Sequence, residues 1–308
     1  MIDSELQKNS GRSQERPVPG KTAVPESQDS GRKLFYGLFI FPLLIAVGMA
    51  VLLCTVVLLT REVETPETLI SAIKTGSPSK RWQKAFELAN EINQGRGLIR
   101  QTGVMKEIIH ILNDRAGYDA KTRSYMAMAL ARFNEPEAGE ALRARLKTEE
   151  DADVQVYLIW ALGAKKSGAA AEEIIPFLKR PQEDLRKMAA YALGNLGNPK
   201  AISALEPLLS DSARDVRWNT ALSLARLGSR AGYDEIVKML DREALRSYHQ
   251  VPADKVEEIM VNGVRGLAVL RDPEALPLLA DLSNHDPSLK VRQAAIEAIK
   301  YQKSQSSP

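Results

Sequence analysis

The chain has 308 residues, of which 44% are hydrophobic, so it is long enough for two ordinary domains and apolar enough for a substantial core. Its formal charge of +3 is small for this length, so the composition demands neither a nucleic acid nor an acidic surface as a partner. A single cysteine, Cys54, excludes an intrachain disulfide and a thiolate metal site.

The N-terminal segment, residues 1–33, is rich in Ser, Gln, Pro, Lys and Glu and has few apolar side chains. Composition of this kind predicts a disordered tail. The tail contains Gly20, Lys21 and Thr22, which match the end of a phosphate-binding loop. Such a loop requires a glycine five positions earlier, where Glu15 stands, and a preceding strand, so we reject a nucleotide site.

An uncharged apolar run follows at residues 34–60. A helix of this length spans roughly 40 Å, more than the roughly 30 Å hydrocarbon core of a bilayer. We therefore predict a single transmembrane helix that contacts lipid along residues 34–60, loosened but not interrupted by Pro42 and Gly48. A cleaved signal peptide is the alternative, but the run is too long and no small-residue cleavage pattern precedes Arg61.

The charges beside this segment predict its orientation. Arg32 and Lys33 precede the helix, whereas Arg61 and then Glu62, Glu64 and Glu67 follow it. Because the positive flank of a membrane helix stays in the cytoplasm, the N-terminus is predicted to be cytoplasmic. The C-terminal part is then predicted to lie on the opposite side, which is periplasmic or extracytoplasmic.

The remainder of the chain is repetitive. Residues 184–197, DLRKMAAYALGNLG, are matched 31 residues later at 215–228, DVRWNTALSLARLG, and more weakly 31 residues earlier at 153–163, DVQVYLIWALG. On a helix, Gly194 would allow close approach of a neighbour and Gly197 would end the helix. The apolar side chains of the first segment gather on one face, namely Leu185, Met188, Ala189, Ala192, Leu193 and Leu196. A fixed period of this size predicts stacked repeats.

Helical periodicity extends this pattern to about seven helix pairs, each with a first helix A and a second helix B, and no stretch alternates as a strand would. The A helices are predicted at residues 66–75, 102–113, 136–147, 169–179, 199–209, 233–240 and 273–282. The B helices are predicted at residues 80–93, 121–133, 154–164, 185–196, 216–227, 256–270 and 289–302. The fold class is therefore all-α, with a helical solenoid at 61–302 and a disordered C-terminus at 303–308.

These repeats resemble the HEAT family, including the HEAT-like repeats of phycobilisome lyases. The resemblance rests on D-L-R-x-x-A-A-x-A-L-G-x-L-G at 184–197, D-V-R at 215–217 and V-R-x-A-A-x-x-A at 291–298. It also rests on a proline inside three A helices, at Pro176, Pro207 and Pro277. The resemblance implies a right-handed, armadillo-like superhelix whose B helices line the concave side. It implies no single activity.

An arginine recurs near the start of the B helices. When these helices are aligned, one position reads Arg81, Arg123, Gln155, Arg186, Arg217, Met260 and Arg292. Three aspartates, Asp153, Asp184 and Asp215, stand two residues before Gln155, Arg186 and Arg217 respectively. The resemblance implies that such Arg and Asp residues connect successive repeats, which we favour over an anion or nucleic-acid site.

Two further aligned positions form one band along the stack, because they are i, i+4 neighbours on each helix. The first position reads Trp82, Ser124, Val156, Lys187, Trp218, Val261 and Gln293, and the second reads Phe86, Met128, Trp160, Tyr191, Leu222, Arg265 and Glu297. Helical phase predicts that Trp82 and Trp218 face solvent, as anchors of a binding surface would. The alternative, favoured for Trp160 and Tyr191, is packing between neighbouring B helices. The predicted protein-binding residues are Trp82, Phe86, Trp160, Tyr191, Trp218 and Leu222.

The sixth repeat contains about twelve additional residues near 241–255, a segment that includes Tyr248, His249 and Pro252. An insertion in a solenoid is predicted to be a loop, which could line a binding rim or could be only a connection or an extended A helix.

The sequence gives little support for catalysis. Its three histidines, His110, His249 and His285, lie in different repeats, and none is followed by the glutamate that HEAT-repeat di-iron hydroxylases use. No cluster has metal-ligand spacing, so we predict no metal or other cofactor.

We therefore hypothesise a non-enzymatic, single-pass membrane scaffold that docks a protein and organises a membrane or envelope complex. The alternative is a HEAT-like lyase or isomerase that acts on a chromophore or small ligand. Self-association through the membrane helix is a third hypothesis, and no nucleic-acid partner is expected.

Overall fold

A computed structural model describes residues 34–60, 65–95, 102–166, 168–247 and 252–306. The predicted disordered tail at 1–33, with the rejected loop at Gly20, lies outside the described residues. The chain divides into two units, Met1–Val63 and Glu64–Pro308. Within the described ranges every regular element is helical and none is a strand, so the all-α prediction is confirmed.

The first unit contains one apolar helix. A π-helical turn, Tyr36–Ile40, leads into α1 (Phe41–Thr60). The segment Tyr36–Leu58 has 23 residues and a mean hydropathy of 2.7, and no part of it is buried. It is therefore long and apolar enough to cross a membrane. The π-helical turn directly precedes Pro42, whose ring nitrogen cannot donate a hydrogen bond, and the helix continues beyond it.

The described residues of the second unit form seven helix pairs that stack as a solenoid. The first five pairs are α2 (Pro66–Thr75) with α3 (Pro78–Asn93), α4 (Thr102–Asn113) with α5 (Ala120–Leu130), α6 (Pro136–Thr148) with α7 (Ala152–Ala164), α8 (Ala171–Ile174) with α9 (Glu183–Leu196), and α10 (Ile202–Leu205) with α11 (Arg214–Arg226). In the sixth pair α12 (Tyr233–Lys238) is separated by α13 (Arg242–Ser247) from α14 (Ala253–Leu270), and the seventh pair is α15 (Leu276–His285) with α16 (Leu289–Ser306).

The predicted pairs are confirmed, but several boundaries differ. The fourth and fifth A helices are not continuous, because only four residues each of α8 and α10 are α-helical and the flanking turns are 3₁₀. Pro176 and Pro207 lie in those turns, where a proline removes a hydrogen-bond donor and prevents a regular α-helix. Residues 303–306, predicted to be disordered, continue α16, and residues 307–308 lie outside the described part.

Buried apolar side chains form two clusters. The first extends from Leu69 to Leu224, and the second from Trp218 to Ala298. Helix α11 contributes to both clusters, and its packing against α14 is less extensive than that between the other consecutive B helices. The solenoid core therefore narrows between the fifth and sixth pairs.

Consecutive B helices approach closely at small residues. A Cβ added to Gly163 would lie 2.8 Å from the Cα of Ala192, and one added to Gly194 would lie 2.7 Å from the Cα of Ser223. These two contacts are 31 residues apart along the chain, which is the period of the sequence. The predicted role of Gly194 is confirmed, and Gly197 ends α9 with a φ of 66°.

Four of the B-helix arginines, Arg81, Arg123, Arg186 and Arg217, contact the following pair, as predicted. The Arg81 Nη1 donates to the Gly117 carbonyl oxygen at 2.7 Å, in the loop of the following pair. The Arg186 guanidinium donates two hydrogen bonds to Asp211, at 2.7 and 2.9 Å. Within its own pair, the Arg217 Nη1 also donates to the Asp211 carbonyl oxygen at 2.8 Å, which fixes the loop that holds this carboxylate.

The carboxylates in these connections differ from the predicted ones. Asp153, Asp184 and Asp215 are exposed in the first turns of their helices, where their charge stabilises the helix N-terminus. The acceptors are instead Glu149 and Asp211, which follow the A helices. The loop after an A helix thus supplies the carboxylate that the arginine of the preceding B helix binds.

Glu149 is the most buried of these acceptors. Its carboxylate has no exposed surface and pairs with Arg123 and Arg145, whose side chains are 6% and 7% exposed. Burial acts to raise the pKa of Glu149, but the Asp151 N–H and the two guanidinium groups outweigh it and hold that pKa below its ordinary value. Since removal of one partner from such a group costs about 3–5 kcal/mol, this cluster fixes the second pair on the third.

We predict that Gly194→Ala lowers the thermal unfolding midpoint of the full chain in detergent, measured by far-UV circular dichroism. The new methyl group would overlap the Ser223 backbone, and overpacking of this kind costs about 1–3 kcal/mol. Gly103→Ala is the matched control, because it makes the same change inside α4 where nothing lies within 4 Å. Equal midpoints for the two variants would contradict the close approach.

Candidate functional site

The six predicted binding residues lie on α3, α7, α9 and α11, and the structure exposes them to different degrees. Phe86 is 44% exposed, which makes it the most accessible of the six. Trp82 is half-buried, and the Lys121 Nζ of the next B helix lies 3.4 Å from the centre of its ring. Trp160 and Tyr191 are half-buried, and Trp160 packs against the first cluster, in agreement with the packing favoured for it.

The prediction that Trp218 faces solvent is wrong. Its side chain is 7% exposed and belongs to the second hydrophobic cluster. The Arg214 guanidinium, one helical turn earlier, lies 4.7 Å from the ring centre. Helical phase indicates which side of α11 faces its own A helix, but Trp218 is covered by the additional contact with the sixth pair.

An aromatic strip was missed by the sequence analysis. The Phe86 and Tyr125 rings are 5.3 Å apart, and the Tyr125 and Tyr157 rings are 6.0 Å apart, both edge to face. Burial, and secondarily Tyr157, raises the pKa of Tyr125. Tyr125 and Tyr157 occupy the same aligned position in the second and third pairs, and this recurrence was the available signal. The aromatic strip, Phe86–Tyr125–Tyr157, thus crosses three B helices.

A groove lies between α9, α11 and α14. It consists of two adjoining cavities of about 370 and 360 Å³, which share Asn219, Leu222 and Asn262. The remaining residues that line them are Arg214, Asp215, Trp218, Met239, Pro252, Lys255, Glu258 and Ile259 in the first cavity, and Tyr191, Arg226, Arg265, Gly266 and Val269 in the second. The structure therefore brings together three of the six predicted residues, Tyr191, Trp218 and Leu222.

The charged groups of the first cavity largely pair with one another. The Lys255 Nζ lies 2.6 Å from Glu258, and the Arg214 Nε lies 3.9 Å from Asp215. The second cavity contains arginine but no carboxylate. Its Arg226 guanidinium lies 5.6 Å from the centre of the Tyr191 ring, which is within cation–π distance.

A larger cavity of about 660 Å³ lies at the loops that join the second and third pairs. Arg143 in its wall is already bound to Glu173, and the Lys165 ammonium donates to the Phe133 carbonyl oxygen. Burial lowers the pKa of Lys165 below its ordinary value, although the negative charge of Glu135 acts to raise it. Arg143 and Lys165 therefore serve local structure, and none of the six predicted residues lines this cavity.

The insertion at 241–255 contains a separate short helix, α13. Its Arg242 binds Asp286 through two hydrogen bonds, at 2.6 and 3.2 Å. This arginine replaces the one that the sixth B helix lacks at the aligned position, where Met260 stands. Tyr248 and His249 lie outside the described residues, and Pro252 lines the groove.

In the described ranges no three His, Cys, Asp or Glu side chains form a group that could hold a metal ion. His285 is exposed and its Nδ1 lies 2.8 Å from Asp281 on the same helix. His110 is also exposed, and it lies in a different repeat.

Comparisons with known proteins agree with this architecture. The profile for HEAT repeats matches residues 139–225, 171–248 and 208–300. The CpcE–CpcF complex of phycocyanin lyase from Nostoc sp. PCC7120 superposes with a TM-score of 0.54 at 19% identity, over 80% of this chain and 96% of that chain. Its TM-score supports the solenoid fold, and its identity is too low to transfer an activity.

Two further solved structures are similar at lower scores. The archaeal HEAT-like repeat protein from Thermococcus onnurineus NA1 has a TM-score of 0.39 at 12% identity, over 80% of this chain and all of that chain. Human deoxyhypusine hydroxylase has a TM-score of 0.32 at 14% identity, over 78% of this chain and 96% of that chain. The curated proteins gave no match.

We predict that Trp218 is better shielded from solvent than Trp82. A Trp82→Phe/Trp160→Phe variant retains Trp218, and a Trp160→Phe/Trp218→Phe variant retains Trp82. The first should emit at shorter wavelength and be quenched several-fold less by acrylamide, because its indole lies in the second cluster. Equal quenching of the two variants would contradict the better shielding of Trp218.

Proposed function

This chain belongs to the HEAT-repeat family, whose profile matches just over half of it, residues 139–300, and we propose that it is a membrane-anchored scaffold. In this proposal the solenoid docks another protein and organises a membrane or envelope complex. The protein acts without chemistry of its own. The family match and the helical solenoid support the scaffold part of this proposal.

The observation that carries the proposal is the combination of the aromatic strip and the groove on the face formed by the B helices. Aromatic rings supply most of the binding energy in many protein interfaces, because they bury a large area with few rotatable bonds. Phe86 is 44% exposed at one end of the strip. Tyr191 and Leu222 line the groove. Together they provide partly exposed apolar groups on successive B helices, as an extended protein contact requires.

The apolar helix supports a membrane anchor. It is long enough to span a bilayer, and its full surface is accessible in the described structure. Only residues 61–64 separate α1 from the described start of the solenoid domain at Thr65. In this proposal the anchor keeps the solenoid, and a protein bound to it, attached to the membrane. The basic residues Arg32 and Lys33 support a cytoplasmic N-terminus in this proposal.

Orientation can be tested with two single-cysteine variants of the full chain, because Cys54 is the only native cysteine. The Cys54→Ser/Asn284→Cys variant introduces a thiol at an exposed position of α15, and the Cys54→Ser/Ser13→Cys variant introduces one in the tail. A membrane-impermeant maleimide should label the first variant in intact cells and the second only after permeabilisation. The reverse labelling pattern would show that the orientation is opposite to the one we propose.

Partner binding can be tested by purifying the full chain from native membranes and identifying the associated proteins by mass spectrometry. A stoichiometric partner should be present, and a Phe86→Ser/Tyr191→Ser variant should lose it because two apolar anchors are removed. Leu289→Ser is the matched control, since Leu289 is 74% exposed but lies outside the strip and the groove.

Retention of every partner by the double variant would refute this binding surface. Purification of the wild-type protein without a partner, but with a coloured small molecule, would favour the lyase or isomerase alternative. A ladder of cross-linked copies in detergent would instead indicate self-association.

A further inference from the structure

We infer that the segment of the partner that enters the groove is an acidic peptide, whose carboxylates bind Arg226 and Arg265. This inference rests on the proposed docking function and specifies the chemistry of the partner. Its basis is a local imbalance of charge that the domain as a whole does not share.

The second cavity combines an apolar wall with two exposed cations. Leu222 and Val269 supply aliphatic surface, and Val269 is 44% exposed. Gly266 allows the Leu222 side chain to lie directly against α14, because a Cβ there would lie 2.6 Å from the Leu222 Cδ2. Arg226 and Arg265 are exposed at the edge of the same cavity. A ligand that fits this arrangement carries an apolar group beside negative charges.

The two arginines differ from the other charged groups of the groove. Asp215 and Glu258 have cations beside them, at 3.9 Å and 2.6 Å. In the part of the chain that the structure describes, neither Arg226 nor Arg265 forms an ion pair. The groove therefore has two positive charges without a counter-charge, which is the complement of an acidic segment.

The geometry of Arg226 suits recognition of a carboxylate. Its guanidinium lies 5.6 Å from the centre of the Tyr191 ring. Contact with the face of an aromatic ring restricts an arginine but leaves its in-plane N–H donors available for a bidentate hydrogen bond. Tyr191 thus acts as a support for Arg226.

A peptide fits the groove better than a small anion does. The two cavities adjoin through Asn219, Leu222 and Asn262, so the binding surface is elongated. The Asn219 Nδ2 donates to the Asp215 carbonyl oxygen at 2.9 Å. The side-chain carboxamide of Asn262, in contrast, makes no hydrogen bond within the described residues. A carboxamide offers both a donor and an acceptor, which matches the peptide group of an extended chain.

The test uses the full chain, purified in neutral detergent and immobilised, and a phage library of random dodecapeptides. Selected peptides should contain more Asp and Glu than the starting library. A synthetic peptide of the selected sequence should lose affinity by roughly 100-fold for an Arg226→Gln/Arg265→Gln variant, about tenfold for each charge-assisted contact. Added salt should weaken binding to the wild-type protein.

An Arg132→Gln/Arg271→Gln variant is the matched control. Arg271 lies 5.4 Å from the centre of the Tyr301 ring, so it resembles Arg226 on Tyr191 but lies outside the groove. Arg132 is exposed at the loops of the second and third pairs. This variant should bind the selected peptide as tightly as the wild-type protein does. Far-UV circular dichroism should show that both variants are folded.

Three results would overturn the acidic peptide. These are selected peptides without an acidic excess, an acidic peptide whose affinity is unchanged by Arg226→Gln/Arg265→Gln, and a library without enrichment. Co-sedimentation with phosphatidylglycerol vesicles that depends on the same two arginines, without peptide enrichment, would assign them to lipid headgroups. Neutral peptides that bind the wild-type protein but not a Leu222→Ser variant would refute the acidic peptide and leave the docking function intact. The docking function itself would be refuted if the Phe86→Ser/Tyr191→Ser variant retained every partner.

Discussion

The close approach of small residues between consecutive B helices is the constraint on which the second unit depends. Gly163 meets Ala192, and the equivalent residues one period later, Gly194 and Ser223, meet in the same way. Because these contacts are made by backbone and short side chains, successive helices stack without a gap. The longer side chains beside the contact are then directed away from it. The face that we propose for binding is therefore built on the same spacing as the core.

The groove lies where that spacing changes. Aligned positions of the fifth and sixth B helices, Val216 and Ile259, are 43 residues apart rather than 31. The additional residues include α13, and the packing between α11 and α14 is less extensive than that elsewhere in the B layer. The core divides into two clusters at the same place. A lengthened repeat has thus opened a recess on a face that is otherwise closely packed.

The sequence predicted the helix pairs well, because apolar periodicity and the glycines act within one repeat and its neighbour. It did not predict the environment of Trp218, since helical phase relates α11 only to its own A helix and contains nothing about α14. The aromatic strip was missed for a similar reason. Phe86 and Tyr125 stand at different aligned positions, and their contact depends on the rotation of one B helix against the next. Contacts between repeats therefore require the structure.

Arginine has two roles in this domain, and its surroundings separate them. Arg186 is half-buried and binds both oxygens of Asp211 in the next pair, so its charge is balanced within the solenoid. Arg226 and Arg265 are exposed on the groove, and the described residues offer them no carboxylate. A chain with a small net charge can thus still present a locally positive site, because Glu149 and Asp211 balance the arginines that connect repeats, whereas the second cavity has no carboxylate in its wall. Because the wall of the second cavity contains no carboxylate, the acidic peptide that we propose would supply to Arg226 and Arg265 the kind of ion pair that Asp211 supplies to Arg186 between repeats.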